Sequence, residues 1–173
     1  MRLTVAVLVL ACVAPEAPVC ALVPVDQQVE LDRTLQRVYG TPIMSSDVRQ
    51  VRLLRLISAG AGSDEAILTA LENRLLMLRE VARGSIAEPP PVRIAARRDA
   101  WAASWPPGTD LPALMARAGM TDQALNGWFR DDLHIEGYLD QRFGQPDDAR
   151  RAARIADWVR DLRARANLPA KQP

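Results

Sequence analysis

Histidine and cysteine are nearly missing from this chain. One histidine (His134) and two cysteines (Cys12 and Cys20) occur in 173 residues. A zinc or haem site built on clustered His and Cys is therefore excluded, and no metal ligand set is expected. Both cysteines fall within the first 20 residues, which read below as a leader, so the remainder has neither disulfide nor thiol chemistry. Lysine is as scarce: Lys171 stands alone among arginines, a pattern that GC-rich coding explains. Net charge is +1, which argues against a general nucleic-acid binder. No apolar run reaches the roughly 20 residues that a membrane-spanning helix needs. Also missing are a Gly-rich phosphate loop, an HExxH pair and a Gly-x-Ser-x-Gly elbow. Neither an enzymatic activity nor a cofactor is expected.

What the sequence does have begins at its start. Arg2 precedes the apolar run Leu3–Ala11, and a Pro-containing stretch ends at Val19-Cys20-Ala21. A basic n-region, an apolar core of about 9–11 residues and small residues before a cut site make a secretory signal peptide over residues 1–21. The expected mature chain is 22–173, exported to the periplasm and enough for one domain. An alternative reads Val9-Leu10-Ala11-Cys12 as a lipoprotein box with Cys12 lipidated, but Leu10 fits its position poorly.

The rest predicts a mainly α fold with a small N-terminal β-hairpin. Alternation over Val29–Met44, with a turn at Gly40-Thr41-Pro42, gives the hairpin (29–44). A helical core follows over 45–144. Ser45 or Ser46 caps a first helix, and Val48, Val51, Leu54 and Ile57 form its apolar face. Ser63 caps a second over about 64–83, with Gly84 expected in the left-handed C′ position. Beyond the stiff Glu88-Pro89-Pro90-Pro91 connector, helices are expected at 92–104, 111–118 and from the Thr121 cap to Gly144. A C-terminal amphipathic helix at 147–166 carries Ala152, Ile155, Val159, Leu162 and Ala166 on one face, with Arg150, Arg151, Arg154, Arg160 and Arg163 elsewhere as a solvated, ion-paired face.

Chemistry-bearing residues are few. Asp131-Asp132 and Asp147-Asp148 are adjacent carboxylates. Neighbours on a helix do not face each other, so they read as helix-start charges or solvated faces rather than an acid/base dyad. His134 lacks an evident orienting partner. The aromatics crowd into the C-terminal half and read first as core. Trp101, Trp105, Met115, Trp128, Phe129 and Tyr138 are nonetheless the candidate peptide-binding residues, if part of that apolar surface is open. Thr121–Ile135 has the outline of a helix-turn-helix fragment, which export would leave without DNA to bind.

The order of these parts resembles the N-terminal module of the SurA-type periplasmic chaperones over about 29–144. Leu31-Asp32-Arg33 to Val38, then Gly40-Thr41-Pro42-Ile43-Met44-Ser45-Ser46-Asp47-Val48, is similar to that family's strand, glycine turn, second strand and Ser-Asp-Val helix start. Leu71–Met77, Leu114–Thr121 and Asp131–Phe143 continue the likeness. The chain departs from it in leaving no room for a parvulin domain, so prolyl isomerase activity is not implied. The resemblance implies an ATP-independent protein holding unfolded or outer-membrane polypeptides, with the helix at 147–166 packed back on the module. The competing expectation is a structural or assembly subunit that binds one dedicated envelope partner. The two differ in promiscuity.

Overall fold

A computed structural model describes residues 32–57, 62–144 and 150–169. The chain divides between Leu31 and Asp32, and every described residue belongs to the second unit. The signal peptide, the Cys12 alternative and Asp147-Asp148 lie outside the described residues.

The fold is mainly helical with a two-stranded antiparallel hairpin, β1 (Thr34–Val38) and β2 (Thr41–Met44). Val38 pairs with Thr41, so the loop is only Tyr39-Gly40, with φ of 49° and 88°. Positive φ at both loop residues matches the right-handed twist of the strands, and glycine takes the second at no steric cost. The turn thus sits one step earlier than expected. Thr41 and Pro42 belong to β2, where a proline is tolerated because a two-stranded sheet is all edge. Leu35 is the extra residue of a bulge.

Helix α1 (Ser45–Leu54) starts directly at the end of β2, with Met44 rather than a serine at the cap position. Asp32 reaches across from the strand entry instead. Its carboxylate accepts from the Ser46 amide (2.9 Å), the Ser45 hydroxyl (2.8 Å) and the Ser46 hydroxyl (2.5 Å). Those bonds, the Ser46 hydroxyl first, hold Asp32 below the usual carboxylate range. An anion at a helix N-terminus also suits the macrodipole.

The remaining helices are α2 (Asp64–Val81), α3 (Pro91–Ala103), α4 (Leu111–Ala118), α5 (Asp122–Phe143) and α6 (Arg151–Arg165). Ser63, Asp110 and Thr121 cap α2, α4 and α5 through their side chains, and prolines occupy the first turns of α3 and α4. Gly119 ends α4 in the left-handed conformation. Gly84 does not do the same for α2, which closes on Ala82 with ordinary right-handed geometry; Gly84 instead lies against the Tyr138 ring.

Helix α2 is the hub, touching both strands, α1, α5 and α6. Around it Val38, Ile43, Val51, Leu71, Leu76 and Leu162 are among the residues of one core. A second core gathers Leu54, Met115, Ala118, Leu125 and Phe129 where α1, α4 and α5 meet. Trp128 packs against both.

The expected face of α6 is largely the one turned inward, with Leu162 buried and Ile155, Val159 and Ala166 half-buried, but the buried set is wider than expected. Trp158, Leu162 and Arg163 are its buried residues, while Ala152 stays exposed. Arg163 is therefore not part of a solvated face. It donates to Glu72 (2.7 Å), with both side chains only 3% exposed, to Asn73 Oδ1 (2.8 Å) and to the Pro169 carbonyl (3.0 and 3.1 Å). Truncating one member of such a pair strands a buried charge. Glu72→Ala is expected to cost about 3–5 kcal/mol in urea unfolding, and Glu72→Leu with Arg163→Met together to recover most of it. A double variant no more stable than the single one would show that the loss is not the cost of a stranded buried charge.

Candidate functional site

Helical spacing brings one face of α2 opposite one face of α5. Ala70, Asn73, Arg74 and Met77 recur at steps of three and four, as do Trp128, Asp132, Ile135, Glu136 and Leu139. Between them opens a groove of about 510 Å³, closed at its sides by Leu56-Ile57 after α1, Arg97 of α3 and Arg151 of α6. That volume falls within the roughly 300–1,000 Å³ usual for ligand clefts.

Arg74 organises one wall. It is buried, donates to Asp132 and to the Trp128 carbonyl (2.9 Å), lies 3.7 Å from Asp131, and stacks its guanidinium 3.9 Å above the Trp128 ring. Asp131-Asp132 is thus neither a helix-start pair nor a solvated face: both sit in the middle of α5 and share one arginine. Burial pushes the Asp132 carboxyl above the usual carboxylate range, against the pull of Arg74. On the far side of Arg74 and Trp128 lies a smaller cavity of about 250 Å³, reached by Ile43, Gln50 and Leu75.

The rim carries further charge. Arg97 donates to Glu136 (2.5 Å), which also lies 3.8 Å from Arg93, and Arg151 donates to Asp140 (2.5 Å). His134 has the carboxylate partner that the sequence did not disclose: its Nε2 is 3.3 Å from Glu88 of the proline connector. Among the described residues no group of three or more His, Cys, Asp or Glu is placed to hold a metal ion.

The six residues singled out in the sequence do not form one surface. Trp101 is half-buried and its indole N–H donates to the Leu54 carbonyl (2.8 Å), satisfying the end of α1. Trp105 packs edge-on to Trp101 and lies under the Arg55 guanidinium. Phe129 and Met115 are buried in the second core. Trp101 and Met115 also line a separate cavity of about 610 Å³ with Leu111, Met120 and Arg98. Tyr138 belongs to the other core, stacked on Trp158 at 5.6 Å. Of the six, Trp128 alone lines the α2–α5 groove.

No protein-family model, curated protein or solved structure matches this chain. The site is therefore read on its own geometry. Sequence reasoning passed over Asn73, Arg74, Arg97 and Arg151. For α2 a signal was available: Glu72-Asn73-Arg74 puts three polar residues in a row inside an apolar stripe, and two of them are buried. For Arg97 and Arg151 there was none, because each looks like any other arginine on an arginine-rich helix.

Asp132 gives a pH test. Its folded carboxyl holds its proton to higher pH than an unfolded one, so stability falls as pH rises between the ordinary carboxylate range and its raised value. Asp132→Asn is expected to lack that fall in urea midpoint, apart from any pH-independent cost of leaving Arg74 with Asp131 and the Trp128 carbonyl. A variant whose midpoint still falls with pH as the natural chain's does would contradict the burial account.

Proposed function

We propose that this chain is an exported, ATP-independent polypeptide-binding protein that holds unfolded or outer-membrane segments in the periplasm, without isomerase or other catalytic activity. The observation that carries the reading is the α2–α5 groove: open, floored by Met77, Ile135 and Leu139, and rimmed by side chains from several helices. Apolar residues of an extended chain would seat on that floor, with the polar rim orienting them. Binding of this kind needs no nucleotide, because occupancy alone withdraws the unfolded segment from aggregation. The order of hairpin and helices, similar to the SurA-type module, supports the same reading. No helix of the described residues is long and apolar enough to cross a membrane.

One observation favours the second reading, a non-catalytic subunit for one dedicated envelope partner. Among the described residues, the exposed large hydrophobics are Tyr39 and Val92. A holdase that grips many clients presents broad apolar surface, whereas here the apolar area lies inside grooves and selects for shape.

Light scattering separates the two. An unfolded outer-membrane protein and an unrelated aggregating protein are each diluted from denaturant with the purified chain at equimolar and about fivefold excess. Suppression of both without ATP is the expected result for a holdase. Suppression of neither removes general chaperoning and leaves the dedicated subunit.

A further inference from the structure

Helix α3 is fastened to the domain differently from its neighbours. Every other helix buries side chains, and α3 buries none. It lies on α5. Ile94 and Trp101, both half-buried, rest on the second core, and the Trp101 indole N–H reaches the Leu54 carbonyl. The other fastenings of α3 are ion pairs: Arg93 and Arg97 with Glu136, and Arg98 with Asp122. Each of these side chains keeps a third or more of its area in water, where such pairs are weak.

The flanks of α3 add little backbone support. Pro89-Pro90 lead in, and Pro106-Pro107-Gly108 lead out, with Gly108 at φ 84°. Proline offers no N–H, and among the described residues no backbone–backbone hydrogen bond ties 85–109 to another element. Ahead of the helix Pro89 is buried, and Glu88 lies 3.3 Å from His134 and 3.8 Å from Arg130 of α5. Beyond it the Trp105 indole N–H is buried with no acceptor among the described residues, so raising this end returns a donor to water. Helix α3 also borders two openings. Arg97 closes one side of the α2–α5 groove, while Arg98, Trp101 and Ala102 line the 610 Å³ cavity shared with α4.

We propose that α3 is a lid: it leaves α5 as one unit while the rest of the domain stays folded, opening the groove on its Arg97 side and the α4 cavity on the other. Segments with few buried contacts open locally at low cost. A lone helix of this length is marginal in water, so α3 melts as it lifts and its amides exchange. The lid does not depend on what the groove binds.

The test is native-state hydrogen exchange of the full chain in urea below its unfolding transition. Amides at 95–103 are expected to share one rate, about 100-fold or more above the slowest amides of α2 and α5, and almost unchanged by low urea because little surface is exposed. Glu136→Gln releases Arg93 and Arg97, and is expected to speed α3 by about two- to fivefold more than it speeds α2. Exchange of α3 at the rate and urea dependence of α2 overturns the lid, since α3 then opens only when the whole domain does. Rates graded from the helix ends show fraying and overturn it, and equal acceleration over α4 shows melting of the second core and does the same. An α3 rate untouched by Glu136→Gln also overturns it, because exchange would not follow release from α5.

Discussion

The buried pair between Glu72 and Arg163 is the interaction on which the rest of this structure depends. Both side chains are almost wholly withdrawn from water. The cost of desolvating them is offset only because Arg163 also satisfies Asn73 and the Pro169 carbonyl. An apolar contact between α6 and α2 would tolerate sliding by a turn. A guanidinium fixed to one carboxylate does not, so the pair sets the register of α6. Register then decides where Arg151 falls, and Arg151 is one side of the groove. The ion pair and the site are thus two ends of the same helix, joined through the position of α2.

Arg74 does for α5 what Arg163 does for α6. It ties α2 to the middle of α5 through Asp132 and the Trp128 carbonyl, and it stacks on the Trp128 ring. Trp128 touches both cores, so the cation–aromatic contact lies where they adjoin. The groove and the smaller cavity open on either side of it. Buried polar residues that organise a core generally must be fully partnered. Among the described residues the buried donors without an acceptor are the indole N–H groups of Trp105, Trp128 and Trp158 and Arg151 Nε, and of these side chains Trp128 and Arg151 line the groove.

Much of the fold was legible because local rules were obeyed. Ser63 and Thr121 cap the helices they were expected to cap, Gly119 stops α4, and the 3.6-residue stripes of α1 and α5 face the cores. Where expectation failed, a partner distant in sequence had taken over. Asp32 serves the start of α1 from more than ten residues away, so neither Ser45 nor Ser46 is the cap. Arg163 follows Glu72 inward across about half the chain, which widens the buried face of α6 beyond its apolar stripe. Periodicity treats arginine as outward-facing and has no means of seeing that exchange. The site was legible only at Trp128. The other aromatics drew attention by type, but Trp101 is occupied with the Leu54 carbonyl and Phe129 with the second core. The arginines that line the groove are visible only once four helices are assembled.

The central claim is that α2 and α5 together present the binding surface. Backbone hydrogen exchange of the full chain, alone and with a saturating unfolded outer-membrane polypeptide, tests it most directly. The account predicts slower exchange on client addition over residues 70–77 of α2 and 128–139 of α5. Protection confined to α3 and α4, around Trp101 and Met115, would contradict it and move the site to the other cavity.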